Sequence, residues 1–148
     1  MKAAWLTASG PQQWKSDALA RLEVIADTYL SVNAPVQLAI PSFLEQRHAF
    51  QKQVVERVRR NLAELDRQLA AQKAVSRLIM EGGWCAVLRV PAMRSDEDVA
   101  IELLTTHGVS VHPGRFYEFS SDRFLVVSLL PQQTQISEGL SKILPFCR

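Results

Sequence analysis

The stretch GVSVHPGRFYEFSSDRFLVVSLLP, residues 108–131, sets the fold class. Val109–His112 reads as a short strand, because Pro113-Gly114 stops it. Arg123–Leu130 (RFLVVSLL) reads as a second strand, rich in β-branched and apolar residues that suit a pleated, half-buried surface. Before this pair, Ser95-Asp96-Glu97-Asp98 has the look of a helix start, with acids at the positive end of the dipole. That helix would carry Val99, Ile101, Leu103 and Leu104 and end at His107-Gly108, where a glycine closes the C-terminus. Further upstream, Gly82-Gly83 breaks the chain and Trp84–Val90 (WCAVLRV) reads as a strand ending at Pro91. A last helix is expected over residues 134–144. The order helix, strand, helix, strand, strand, helix predicts helices covering a short sheet.

The first half is helical. Ala3–Ala8 (AAWLTA) reads as a short strand ended by Ser9-Gly10-Pro11, and a helix is expected from Pro11 to Asp27. Tyr29–Gln37 reads as an irregular linker broken by Pro35, with a short helical turn to Ile40. Ser42 and Glu45 have capping-box spacing, so a long helix is expected to begin at Ser42 and run to about Gln72. Its stripe of Val55, Val58, Leu62, Leu65 and Leu69 at spacings of three and four makes it amphipathic. Residues 1–41 do not belong to the second unit by pattern, which places a boundary between 1–41 and 42–148. The fold class is therefore α/β, of an α+β-like small-domain kind. A short sheet is covered by helices, with a long N-terminal amphipathic helix and a remnant of a larger domain before it.

Bulk properties exclude several classes of function. The chain of 148 residues is 47% hydrophobic and 22% charged, ordinary values for a globular domain. Its 17 basic and 15 acidic residues leave a net charge of +2, so bulk charge does not point to nucleic acid. The run Arg57–Arg60 lies in a helical pattern with Glu56 and Glu64 nearby and reads as a solvated helix face. No apolar stretch is long enough to span a membrane. Cys85 and Cys147 have neither metal-ligand nor CxxC spacing, and two thiols beside a good core suggest a reducing cytoplasm. His48, His107 and His112 stand at no metal-binding spacing. His48 reads as a surface residue and His107 as a C-terminal helix partner, while His112, before Pro-Gly at a strand end, sits where loops often carry function. No nucleophile elbow, Walker loop or dinucleotide fingerprint occurs. The residues by themselves show no catalytic constellation and no metal site.

Taken together, five segments resemble the C-terminal part of class I/II, fold-type I, pyridoxal-phosphate-dependent aminotransferases. WLTASGP at Trp5–Pro11 resembles the strand and turn after the family's cofactor-lysine segment. ADTYLSVNAPVQLAIPSFL at Ala26–Leu44 resembles the stretch leading into the interdomain helix. EGGWCAVLRVP at Glu81–Pro91, GVSVHPGRFYEF at Gly108–Phe119 and FLVVSLLP at Phe124–Pro131 resemble successive strands of the small domain. They stand in the family's order over nearly the whole chain.

The resemblance implies pyridoxal phosphate as cofactor of the intact protein and amino-group transfer between an amino acid and a 2-oxo acid. It places the Schiff-base lysine before Met1. Lys2 falls where the family has a phosphate-binding basic residue, although lysine lacks the bidentate fork of arginine. Val126 stands where the family usually has its carboxylate-clamping arginine, so Arg115 and Arg123 become the candidates for binding substrate. The implied chain is inactive alone and binds no cofactor alone, and it is expected to form a homodimer or to be completed by a missing large domain. The alternative is a non-catalytic binding or oligomerisation domain, such as the sensing part of an aminotransferase-like transcription regulator. Neither membrane nor nucleic acid is an expected partner, and the expected location is cytoplasmic.

Overall fold

In the computed structural model, which describes residues 3–29, 32–121 and 123–147, helix α1 spans Gln12–Thr28 and α2 spans Ala34–Ala70. Strands β1 (Ser76–Arg77) and β2 (Cys85–Arg89) follow, then α3 (Asp96–His107) and β3 (His112–Pro113). A 3₁₀ turn at Gly114–Tyr117, strand β4 (Phe124–Ser128) and helix α4 (Gln133–Phe146) complete the order. The chain divides into two units, Met1–Phe50 and Gln51–Arg148. Among the described residues no helix is long and apolar enough to cross a membrane.

In the second unit the four strands form one antiparallel sheet in the order β1-β2-β4-β3. Side chains alternate across a strand, so Ala86 and Leu88 of β2 point to the same side as Leu125 and Val127 of β4. There they meet Leu65 of α2, Leu103 of α3 and Leu140, Ile143 and Leu144 of α4 in a continuous apolar core. The expected short sheet covered by helices is present. Helix α3 starts and stops as its sequence indicates. The Ser95 hydroxyl accepts the Asp98 N–H at 3.0 Å, and Gly108 adopts φ 65°, donating its N–H to the Leu103 and Leu104 carbonyls.

The boundaries of α2 differ from expectation. The helix begins at Ala34 instead of Ser42, because the Asn33 side chain accepts the Val36 N–H at 3.0 Å and caps it. Pro35 falls in the first turn, where its missing N–H has no intrahelical role. Pro41 lies inside the helix and withholds one donor from the preceding turn, but the helix continues through it. Ser42 receives the Gln46 side-chain amide at 3.3 Å and is not a cap. The expected strand at residues 3–8 is absent: residues 3–9 carry neither helix nor strand, and Trp5 and Leu6 are exposed. A lone extended segment leaves its backbone groups unpaired, and the described residues of the first unit contain no strand. The strand expected over residues 109–112 is confined to His112–Pro113. Strand β1 is an addition, pinned to α2 by a two-pronged Arg77–Asp66 pair at 2.6 and 2.9 Å.

Polar groups of α2 satisfy the exit of β4. The buried Asn61 amide donates to the carbonyls of Leu129 and Pro131, both at 2.8 Å. Glu64 accepts from Arg67 at 2.7 and 2.8 Å, from Gln68 at 2.8 Å and from Ser137 of α4 at 2.9 Å. The Arg67 guanidinium, then Gln68 and Ser137, hold its carboxyl at about 2, against an ordinary 4.5.

Two outcomes follow from these contacts. Asn61→Leu should lower the urea midpoint by the equivalent of about 1–3 kcal/mol, since a buried and a part-buried carbonyl lose their donor. Glu64 is depressed in the folded state, so its stabilisation is complete above pH 4.5 and drains away as pH falls toward 2. Thermal unfolding followed through that window should fall less steeply for Glu64→Gln than for the parent, and equal slopes would remove the carboxylate from the account.

Candidate functional site

The side of the sheet turned away from the helical core presents a row of three residues in register. Val126 of β4 lies opposite Val87 of β2 and opposite His112 of β3. Because neighbouring positions alternate in direction, Phe124, Ser128, Cys85 and Arg89 share this side. His112 is exposed and Val126 buried. The Arg89 guanidinium carbon lies 5.9 Å from the Phe124 ring centre, and Phe119 stacks obliquely on Phe124 at 4.6 Å.

The turn after β3 brings further groups to this row. His112 Nδ1 lies 2.8 Å from the Tyr117 hydroxyl, the two rings are nearly parallel at 6.1 Å, and Phe116 stands 6.0 Å from the imidazole. The chain can turn this tightly because position 114 is glycine. A Cβ there would stand 2.7 Å from Phe124 Cβ, 3.0 Å from the Phe124 carbonyl oxygen and 3.2 Å from Asp96 Oδ2. Asp96, 1% exposed, accepts the backbone N–H of Arg115 through Oδ2 at 2.9 Å. Glu118 ends the turn at φ 59°, the left-handed region that non-glycine residues seldom occupy.

Of the sequence-derived candidates, Lys2 lies outside the described residues. Arg115 stands on the turn, its guanidinium 3.0 Å from Glu97 at the start of α3. Arg123 is exposed just before β4, and its backbone carbonyl accepts the Val90 N–H at 2.8 Å. The close approach of Gly114 to Phe124 brings the main chain next to the two arginines together. Val126 is on the open side of β4. His48 is exposed on α2. His107 sits in the last turn of α3, edge-on to Phe146 at 5.2 Å. Cys85 is exposed, and burial pushes the Cys147 thiol up to about 11. No cluster of potential metal ligands occurs among the described residues.

Two participants were not singled out from the sequence. Tyr117 meets His112 only because the turn folds back over five residues, a distance with no helix or strand period. Asp96 was read as a helix-start acid, yet it is buried and holds a main chain 19 residues further on, while Asp98 exchanges hydrogen bonds with Ser95.

The fold recurs in solved aminotransferases. A PLP-dependent aminotransferase from Streptococcus suis superposes with TM-score 0.75 at 21% identity, over 90% of this chain and 34% of that one. An aminotransferase from Escherichia coli gives TM-score 0.77 at 20% identity, over 93% and 36%. Tyrosine aminotransferase from Leishmania infantum gives 0.71 at 21%, over 90% and 33%. The chain thus spans about a third of the length of the structures it matches, as a C-terminal piece of that fold would. At this identity the likeness establishes the fold. No family model matches the sequence, and no curated protein matches it.

Gly114→Ala should destabilise the second unit by about 1–3 kcal/mol through overpacking, read as a lower urea midpoint. An unchanged midpoint would mean that the turn can yield.

Proposed function

We propose that this chain is the C-terminal, substrate-shaping part of an aminotransferase-like protein that moves an amino group between an amino acid and a 2-oxo acid, and that it does not catalyse this transfer alone. The observation that carries the reading is the fold shared with solved aminotransferases over nine-tenths of this chain and about one-third of theirs. Residues 1–41 are then the remnant of a large cofactor-holding domain with its linker, and residues 42–148 are the small domain. Lys2 takes the place of the phosphate-binding basic residue, and Arg115 and Arg123 are the arginines available to a substrate carboxylate.

When bound, pyridoxal phosphate supplies an electron sink, while the surrounding protein supplies a lysine, a partner for the pyridine nitrogen and phosphate contacts. The described residues do not fit that set. Of the buried polar side chains among them, Asn61 is committed to main-chain carbonyls of its own unit, Asp96 holds the Arg115 N–H through Oδ2 while its buried Oδ1 has no hydrogen-bond partner among the described residues, and Lys15 lies on a helix with no buried residue. No step through the cofactor is therefore assigned to this chain, whose contribution is the open face of the sheet.

The first unit supports completion by further polypeptide. Helix α1 buries none of its residues and exposes Trp14, Leu19, Val24 and Ile25. A groove of about 850 Å³ in the same unit is lined by Trp5, Leu6, Leu22, Ile25, Tyr29 and Ile40, among others. An isolated helix of this length is marginal in water, so an apolar partner surface favours its folding. The same exposure favours a second reading, a non-catalytic binding or oligomerisation domain that pairs with a second copy. That includes the sensing part of an aminotransferase-like regulator.

Mixing the chain with pyridoxal phosphate, reducing with borohydride and mapping lysine adducts by mass spectrometry tests the inactivity. No stoichiometric adduct at a single lysine is expected. One such adduct at Lys2 or Lys15 would overturn the claim that the chain lacks a cofactor site. Mass measured across a concentration series tests the second reading, which a strict monomer at every concentration would overturn.

A further inference from the structure

We propose that the wedge between residues 108–111 and the end of β4 binds a small, neutral ligand in which a secondary amide carries an apolar substituent. The site uses residues of the second unit alone and does not depend on the transamination reading.

Strand register leaves main-chain groups unpaired in this wedge. Val90 donates its N–H to the Arg123 carbonyl at 2.8 Å, and Leu129 donates to the Trp84 carbonyl at 2.7 Å. The odd-numbered residues along β4 thus turn their main chain toward β2. Even-numbered residues turn theirs toward β3, because the direction alternates along an antiparallel strand. His112 pairs with Val126, and the same register would set Ser110 against Ser128. Strand β3 begins only at His112, and among the described residues no main-chain hydrogen bond joins Ser110 to Ser128. Both serines are exposed, so the Ser128 N–H and C=O face a gap that Ser110 borders. A trans amide points its N–H and C=O in opposite directions. One inserted in the gap can donate to one wall and accept from the other.

The gap opens into a cavity of about 370 Å³, within the size range of small-molecule sites. Val109, Leu129, Ile136 and Ile143 give it apolar walls. Its two charged residues, Glu138 and Lys142, are paired with each other at 3.0 Å, and Lys142 also donates to the His107 carbonyl at 3.3 Å. With these charges matched, a carboxylate or an ammonium group would lose its water without a partner of its own, whereas a neutral amide keeps its hydrogen bonds. Gly139 of α4 lines the same cavity. Glycine weakens a helix interior, and packing does not demand it here. Beyond its own helix, a Cβ would meet Val109 Cγ1 at an ordinary 3.8 Å. The missing side chain leaves the space open to a ligand.

The test is a titration of the whole chain, followed by ¹⁵N NMR at the Ser110 and Ser128 backbone amides. The probe is N-isopentylacetamide. Isopentyl acetate, of matched shape but without the N–H, and isovalerate, an anion, are titrated in parallel. The amide should shift both serine signals saturably and bind about fivefold more tightly than the ester, which lacks one hydrogen bond. It should also bind more tightly than isovalerate. Gly139→Leu fills the cavity and should abolish the shifts while the β2 signals stay in place. Gly139→Ala has room for its methyl, keeps the fold, and should weaken binding several-fold. No saturable shift, equal binding of the ester, a preference for isovalerate, or undiminished binding by either variant would each overturn the proposal.

Discussion

The open face of the sheet depends on one close approach, that of the Gly114 backbone to Phe124. No side chain larger than hydrogen can stand at position 114, because a Cβ would lie 2.7 Å from that of Phe124. The approach lets β3 pair with β4 over only two residues and then fold straight into the 3₁₀ turn. Asp96 fixes the turn from the other side by holding the Arg115 N–H. Burying a carboxylate is expensive unless it is hydrogen-bonded, so this anchor ties the start of α3 to the geometry of the turn. His112 and Tyr117 meet as a consequence.

The sheet is covered unequally. Helices α2, α3 and α4 supply the core on one side, and their polar residues close the ends of β4. Asn61 takes the two carbonyls that leave the strand, and Glu64 links α2 to the first turns of α4 through Ser137. These bonds matter because an unmet buried carbonyl costs more than an average hydrogen bond gains. On the opposite side Val126 is buried and Val87 half-buried, in register with the exposed His112.

Helix ends were legible where a side chain acts on its own neighbours. Ser95, Gly108 and Asp98 each do locally what their residue types favour. Legibility failed where distant context decided. Ser42 looked like a helix start, but Asn33 caps the helix two turns earlier and the helix runs on through Pro41. Residues 3–8 have strand-like composition and form no strand, since pairing requires a neighbour. Strand β1 was invisible because two residues carry no period, and its position comes from the Arg77–Asp66 pair and its register with β2.

By itself the sequence determined the fold class, the order of the main elements and the apolar stripe of α2, and the resemblance of its five segments pointed to aminotransferases. These rest on periodicity, turn chemistry and segment order, which are properties of neighbouring residues. The tertiary structure alone decided that Val87, Val126 and His112 share one row, that Tyr117 reaches His112 and that Asp96 grips the turn. Those contacts join residues 5 to 39 positions apart by strand register and one tight backbone approach, and neither quantity is encoded in local spacing.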